Sequence, residues 1–219
     1  MVNLTDRYRP RTLADFVGLD KPRAILSKLA ADPFPSSWAF VGPPGIGKTT
    51  AALALADQLP AELHHIPSRD CDLEHVRETL RACAYAPMRG RFHLVLVDEA
   101  DEMTRAAQVA FLSALDATAG YQTAFLEDPL RPGSGYAGHT VFVFTANSVD
   151  GLEKRFLSRC RVLEFSSYGI AAAGADLLAR IWAAEAPSSP APNFARILKD
   201  STNNLRDALM KLELELMAA

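Results

Sequence analysis

The hydrophobic positions along the chain alternate between short continuous runs and longer stretches with a helical period. Continuous apolar runs predict buried strands, and apolar residues three or four positions apart predict helices with one buried face. The runs predict strands over 38–41, 62–66, 92–97, 139–145 and 161–165, and the periodic stretches predict helices over 49–58, 72–84 and 103–117. This alternation is typical of an α/β fold, in which helices flank a parallel sheet, here of five strands.

After residue 165 the pattern becomes helical throughout, with helices predicted over 170–185, 193–199 and 203–217. We therefore predict an α/β domain over 1–165 and a small all-helical lid domain over 166–219, with a hinge at 166–168. Four leucines form one stripe on the last helix, and this pattern favours a place in the hydrophobic core of the lid over a role as a partner-binding face. They are Leu205, Leu209, Leu212 and Leu216. The Gly/Pro-rich stretch over 119–140 predicts a long loop, either a surface loop or a partner contact.

The segment between the first strand and its helix carries a phosphate-binding pattern. Residues 42–49 read G-x-x-x-x-G-K-T, and the glycines let backbone N–H groups point inward at phosphates. Lys48 can reach the β- and γ-phosphates, and the Thr49 hydroxyl can ligate Mg²⁺. The residues expected around the phosphates are Pro44, Gly45, Ile46, Gly47, Lys48, Thr49 and Thr50. The pattern predicts ATP and Mg²⁺ as ligands, whereas the alternative is an ordinary turn.

Two apolar strands end in polar side chains that suit a nucleotide site. Asp98 and Glu99 follow the run 94–97, and Asn147 follows the run 142–146. Ligands of such folds bind beyond the carboxyl ends of parallel strands. We expect Asp98 to hold Mg²⁺ and Glu99 to activate water, since successive strand residues point to opposite sides. Asn147 can offer an uncharged amide to the γ-phosphate. The alternatives are a solvated strand end and a turn-capping Asn.

The composition narrows the function class. The 219 residues are 49% hydrophobic and 22% charged, with a net charge of −3, as in a soluble globular protein. No apolar stretch is long enough to span a membrane and no signal peptide is recognisable, so we predict a cytoplasmic protein. The three cysteines form no C-x-x-C pair, which indicates neither a zinc module nor a disulfide framework. The acidic charge restricts any nucleic-acid contact to a local patch.

Taken together, the motifs resemble clamp-loader subunits of the replication factor C small-subunit type, which are AAA+ ATPases with a phosphate-loop NTPase fold. The matching segments are the opening 4–18 with Y-R-P, the phosphate loop 42–49, D-E-A-D at 98–101, T-A-N at 145–147, S-R-C at 158–160 and the second-sensor segment 204–209. S-R-C and Y-R-P are more specific to this family than the phosphate loop. The resemblance covers nearly the whole chain.

The resemblance implies a composite ATP site. The residues that would line its adenine and ribose side are Arg9, Pro10, Val17 and Gly18. Asn147 would be the first sensor, and Arg206 the second, reaching the γ-phosphate from the lid of the same subunit. Arg159 would be an arginine finger for the neighbouring subunit, which can supply about 10³–10⁵ in rate. A lone subunit would therefore hydrolyse ATP slowly. A basic turn is the alternative for Arg159.

The resemblance also implies contacts with the DNA backbone near Arg77, Arg81 and Arg105, although Glu74 and Glu78 would equally suit a solvated salt-bridge face. Such phosphate contacts would be independent of base sequence. A further expectation is that Gln108 couples DNA contact to Glu99.

Three functions remain open. In the leading one, ATP couples assembly with other AAA+ subunits to loading of a sliding clamp on primer-template DNA. The second is a protein-remodelling or regulatory ATPase of the same superfamily. The third is a nucleotide-gated structural subunit without turnover. Family members carry a helical collar after the lid, and the chain ends at Ala219 before one. It is therefore either trimmed or naturally short, and stable pentamer formation is in doubt.

Overall fold

A computed structural model describes residues 3–67, 70–118 and 139–218 of the chain. Its centre is one sheet of five strands in the order β2-β3-β4-β1-β5, and every neighbouring pair is parallel. The strands are β1 Ser36–Val41, β2 Glu62–Ile66, β3 His93–Val97, β4 Thr140–Ala146 and β5 Arg161–Glu164. The predicted five-stranded parallel sheet is confirmed, with strand ends shifted by one or two residues.

Helices surround the sheet in the described part of the chain. They are α1 Leu4–Arg7, α2 Asp20–Ala31, α3 Lys48–Gln58, α4 Leu73–Ala82, α5 Arg105–Thr118, α6 Lys154–Leu157, α7 Ile170–Glu185, α8 Phe194–Asp200 and α9 Leu205–Ala218. The six predicted helices are all present. The helices α1, α2 and α6 were not predicted from the sequence. In α2, Pro22 lies in the first turn, where a missing backbone N–H costs no helical hydrogen bond.

The two faces of the sheet carry separate hydrophobic cores. One core joins α2 and α3 to the sheet through residues such as Leu26, Leu55 and Phe40. The other joins α4 and α5 to the opposite face, where Val76 and Phe111 are fully buried. Because β3 and β4 are covered on both faces, all their residues are buried. This explains why the central strands read as continuous apolar runs rather than alternating ones.

The helices α7, α8 and α9 form a third hydrophobic cluster. Leu209 and Leu212 of α9 are buried in it, which confirms that the leucine stripe is core. Leu4 of α1 belongs to the same cluster, so the N-terminal turn also packs against these helices. The domain division at residue 165 stays a prediction.

The residues 166–168 form no helix or strand between β5 and α7, where a hinge was predicted. Most of the predicted loop 119–140 lies outside the described residues, and Thr140 already begins β4. Of the helices that the structure describes, none has the length and apolar character to cross a membrane.

Candidate nucleotide site

The phosphate loop connects β1 to α3 and owes its path to two glycines with left-handed backbone angles. Gly45 has φ +73° and Gly47 has φ +100°. Gly47 precedes the first residue of α3, so the loop delivers the unpaired N–H groups of a helix N-terminus to one point. A Cβ on Gly45 would lie 2.1 Å from Asn204 Oδ1. The loop therefore has both the curvature and the open backbone that phosphate binding requires.

Lys48, the first residue of α3, points its ammonium group back across the loop. Its Nζ donates to Gly42 O at 2.7 Å, to Pro43 O at 2.9 Å and to Asn147 Oδ1 at 3.1 Å. Burial lowers the pKa of Lys48, while the nearby Asp101 and Asp98 carboxylates oppose that shift. The predicted first sensor and the loop lysine are therefore in direct contact, although they are far apart in the chain.

Asp98 lies just beyond the carboxyl end of β3 and contacts three side chains. Its Oδ1 accepts from Thr49 Oγ1 at 2.7 Å and from Thr145 Oγ1 at 2.8 Å, and its Oδ2 lies 3.1 Å from His65 Nε2. A hydroxyl and a carboxylate oxygen side by side form the hard oxygen set that Mg²⁺ prefers. The two predicted metal ligands, Thr49 and Asp98, therefore fit this ion. His65 was missed because it has no motif signal, and Thr145 was noted only as part of T-A-N at 145–147, with no role of its own.

Glu99 lies in a turn beyond the end of β3, so the prediction that strand alternation directs its side chain is wrong. The expected division of labour with Asp98 rested on alternation within a strand, but β3 ends at Val97. Glu99 has φ +50° and begins a short 3-10 turn over Ala100–Glu102, so the turn and not strand alternation sets its direction. Its backbone N–H donates to Thr145 Oγ1 at 3.1 Å. A non-glycine residue in this conformation carries strain of about 1–3 kcal/mol, and such strain clusters at functional sites.

Asp101 and Gln108 tie the segment after β4 to the site. Asp101 Oδ2 accepts from the backbone N–H of Asn147 at 3.0 Å, which fixes the sensor's backbone. The side chain of Gln108 is buried, and it bridges to Gly151 O and the Glu153 N–H, both at 2.9 Å. Gln108 thus links α5 to the sensor segment. Its predicted coupling to Glu99 stays a prediction.

A groove of about 1170 Å³ lies beside the loop, between the N-terminal segment, α7 and α9. The predicted nucleotide-binding residues along its wall are Arg9, Pro10, Val17, Gly18, Gly45, Ile46, Gly47, Thr50 and Arg206. The other predicted residues, Pro44, Lys48 and Thr49, lie in the loop and the first turn of α3. Two charged residues of α7 also line the groove, Asp176 and Arg180. Their spacing of four residues places them on one helix face, but neither was predicted as a site residue.

The start of α9 rests directly on the phosphate loop. Asn204 Nδ2 donates to Pro44 O at 3.0 Å, and its Oδ1 accepts from the Asp207 N–H at 3.2 Å, which caps the helix. Arg206 follows two residues later, with an exposed side chain. A change in the loop therefore acts on the helix that carries the predicted second sensor.

Arg159 is held by α5. Its Nε lies 2.5 Å from Asp116 Oδ1, its Nη2 lies 3.2 Å from Asp116 Oδ2, and its Nη1 donates to Arg155 O at 2.7 Å. Both partners of the ion pair are 27% exposed. Arg159 is absent from the described residues that line the groove. Asp116 was missed because a single acid on an amphipathic helix carries no motif signal.

The three arginines expected near DNA line one groove between α4 and α5. Arg77, Arg81 and Arg105 lie along it with Val109 and Ser113. In the described part of the chain, no ion pair involves Arg77 or Arg81, so the alternative salt-bridge face on α4 is not observed. Arg105 pairs with Glu153 at 2.6 Å while its side chain stays 83% exposed. The groove therefore offers positive charge to solvent.

Residues 38–168 match the family described as "ATPase family associated with various cellular activities (AAA)". This chain belongs to the AAA family. It is 32% identical over 169 residues to replication factor C small subunit 1 of Pyrobaculum arsenaticum, covering 74% of this chain and 46% of that protein. It is 28% identical over 217 residues to replication factor C subunit 2 of Arabidopsis thaliana, covering 95% of this chain and 60% of that one. The chain spans about half the length of these relatives.

Solved structures support the fold. The RuvB Holliday junction branch migration motor of Thermotoga maritima superposes with a TM-score of 0.71 at 20% identity, over 94% of this chain and 64% of that one. At this identity the likeness concerns the fold alone. The expected AAA+ phosphate-loop fold and the expected replication factor C type are confirmed.

Proposed function

We propose that this AAA protein hydrolyses ATP as a subunit of clamp-loader type. The observation that carries the proposal is that four side chains meet beyond the carboxyl ends of the parallel strands, namely Lys48, Thr49, Asp98 and Asn147. Lys48 and the loop N–H groups bind the β- and γ-phosphates, and Thr49 and Asp98 hold Mg²⁺. When bound there, Mg²⁺ would neutralise charge on the phosphate oxygens. Glu99 orients the attacking water and accepts its proton.

Lys48 also gives the site a means of sensing the γ-phosphate. Its ammonium is shared between two loop carbonyls and the Asn147 amide oxygen. A γ-phosphate competes for the same ammonium, because a charged acceptor forms the stronger hydrogen bond. The Asn147 side chain is then released to face the phosphate or the water. Asn204 donates a hydrogen bond to the same loop, so a movement of the loop would also move α9, the helix that carries Arg206.

The site is proposed to be completed by a neighbouring subunit. Arg159 is held by α5 and does not line this chain's described groove. A guanidinium outside its own chain's groove could instead contact the phosphates bound by an adjoining chain, where its positive charge would stabilise the transition state of hydrolysis. Isolated chains would then turn over slowly, and assembly would accelerate hydrolysis.

The proposed substrates are a sliding clamp and primer-template DNA, by analogy with the replication factor C relatives. The groove lined by Arg77, Arg81 and Arg105 supports DNA binding, since two of these guanidinium groups have no acidic partner among the described residues. Contacts of this kind track phosphates and carry no sequence information. The net charge of −3 favours the second candidate, an ATPase that remodels a protein partner.

ATPase measurements separate these candidates. We expect turnover by the wild-type chain to rise with primed DNA and to rise further when a sliding clamp is added. The Glu99→Gln variant should bind ATP and lose turnover, whereas Glu102→Gln, an exposed acid in the same turn, should behave as wild type. Stimulation by neither DNA nor clamp would exclude the clamp-loader proposal. Activity that responds to a protein partner alone would favour remodelling.

DNA binding can be tested on the arginine groove itself. The double variant Arg77→Ala/Arg81→Ala should weaken binding to primed DNA equally for all sequences. It should also reduce the slope of log K against log salt by about 2, since each phosphate contact contributes about 0.9. Arg196→Ala on α8 removes an exposed arginine outside the groove and serves as the control. An unchanged slope in the double variant would remove the groove from the DNA interface.

A further inference from the structure

Two histidines and a cysteine lie together at the β2 edge of the sheet. His64 belongs to β2, His93 begins β3, and Cys83 directly follows α4. One ring nitrogen of each histidine and the Cys83 sulfur all lie within 4.8 Å of one another. His93 and Cys83 are buried and His64 is half-buried. None of the three lines the described nucleotide groove. The cluster therefore combines three transition-metal donors at a place that the ATP site does not use.

The hydrogen bonds around His93 prepare its ring for a metal. His93 Nε2 lies 2.8 Å from Tyr85 O, a carbonyl that can only accept, so this nitrogen carries the proton. The lone pair of Nδ1 then faces His64 Nε2 at 2.9 Å. Metal-bound histidines commonly donate their second N–H to a backbone carbonyl in this way. Burial and the neighbouring His93 lower the pKa of His64, which keeps that ring neutral as well.

We propose that His64, Cys83 and His93 form a Zn²⁺ site, with the Glu62 carboxylate as its fourth ligand. Glu62 Oε2 lies 3.9 Å from His93 Nδ1 and accepts from the backbone N–H of Met88 at 2.5 Å, so the carboxylate must turn toward the cluster to bind the ion. Two imidazoles and one thiolate with a carboxylate are a donor set that Zn²⁺ accepts in tetrahedral geometry. Zn–N bonds of about 2.0–2.1 Å place two such nitrogens about 3.3 Å apart. The histidine pair must therefore open by only a few tenths of an ångström.

Zn²⁺ uptake at this site releases one proton. The Zn–S bond replaces the S–H bond of Cys83, and that proton passes to solvent. The proton between the two imidazoles moves to Nδ1 of His64, so His64 Nε2 is free to bind the metal. The affinity should therefore rise with pH, because one proton is released for each ion bound.

The bound ion would join the end of α4 to β2 and β3, which are neighbours in the sheet. β2 is the edge strand, and of its residues only Ile66 is buried while Leu63 and His65 are exposed. The helix α4 also carries Arg77 and Arg81, so the ion would help to hold the arginine groove in place. Zn²⁺ binding itself does not depend on ATP hydrolysis.

The test is a titration of the full chain, freed of metal by a chelator, with Co²⁺ and then Zn²⁺. We expect one Co²⁺ per chain, with the intense visible bands of a four-coordinate ion and a thiolate-to-cobalt charge-transfer band. Zn²⁺ should remove both signals. At a free Zn²⁺ concentration about 100 times Kd, Tm should rise by about 5–10 °C.

Variants identify the ligands. Cys83→Ala should abolish the charge-transfer band, and His64→Gln, at the half-buried position, should weaken Co²⁺ binding at least tenfold in a chain that still folds. Cys71→Ala and His75→Gln are the matched controls, a second buried cysteine and an exposed histidine on α4, and should bind as wild type. A six-coordinate spectrum, or a charge-transfer band that survives in Cys83→Ala, would show that the cluster is only a hydrogen-bonded histidine pair.

Discussion

The pairing of Arg159 with Asp116 leads to a quantitative prediction for Asp116→Asn. The aspartate receives two hydrogen bonds from one edge of the guanidinium, and Arg155 O receives a third. These contacts hold the side chain in one orientation before a neighbouring subunit arrives. Under the proposed trans-acting role, the pair lowers the entropic cost of placing Arg159 in the transition state. Asp116 is therefore a positioning residue.

The magnitude follows from the burial of the pair. Hydrogen bonds to charged groups contribute about 1.5–3 kcal/mol, and both side chains are 27% exposed. An asparagine retains one neutral acceptor, so we expect Asp116→Asn to lose about 1–2 kcal/mol of the hydrogen-bond free energy that holds Arg159 in its orientation. This corresponds to a turnover about 5–30 times lower. Removal of the guanidinium in Arg159→Ala should cost more, about 10³–10⁵ in rate.

The assay is steady-state ATP hydrolysis at rising protein concentration with primed DNA present. Turnover per wild-type chain should increase where subunits meet. Asp116→Asn should lower the plateau and leave KM for ATP unchanged, since Asp116 is not among the described groove residues. Asp116→Glu should recover part of the loss by restoring the charge. The control is Asp200→Asn, which removes an exposed ion pair with Arg196 on α8.

Two results would refute different parts of the reasoning. Turnover of Asp116→Asn at or above the wild-type plateau would show that the aspartate does not position the finger. A wild-type turnover that is independent of concentration, together with an inactive Arg159→Ala, would instead place Arg159 in its own subunit's site.

Three further outcomes are expected. Asp98→Asn should weaken binding of Mg·ATP by at least about tenfold and leave metal-free ATP binding unchanged in calorimetry, since loss of a proposed ion ligand costs no less than loss of an outer-shell partner. Asn204→Ala should destabilise the chain by about 1–2 kcal/mol in urea unfolding and weaken ATP binding, because the helix cap and the contact with Pro44 are lost. The control is Asn193→Ala, which removes the cap of α8 and should affect stability alone. Raising the pH from 8 to 10 should lower the unfolding free energy of the metal-free chain by about 1.4 kcal/mol for each thiol whose pKa is raised. Burial raises the thiol pKa to about 11 for Cys71 and to about 12 for Cys83 and Cys160. Stability from these thiols is complete below about pH 9 and is lost as the pH rises toward the folded pKa, so Cys160→Ala should show a smaller drop.

Much of the fold followed from local sequence, and the exceptions have physical causes. The central strands were identifiable because burial on both faces demands continuous apolar runs. The helix α2 was missed although it packs into the core through Leu26 and Leu29, and Pro22 obscured its start. The direction of Glu99 was wrongly derived because a strand end cannot be located to one residue from hydrophobicity alone.

The sequence by itself determined the phosphate loop, the acids after β3 and the family, because each depends on residue types at short fixed spacings. Only the tertiary structure decided which distant residues meet. It brought Asn147 to Lys48, Asn204 to the loop and Asp116 to Arg159. These contacts join segments between 43 and 160 residues apart. Contacts between distant residues depend on how strands and helices pack, and such packing produces no pattern of residue types at short spacing that would reveal it in the sequence.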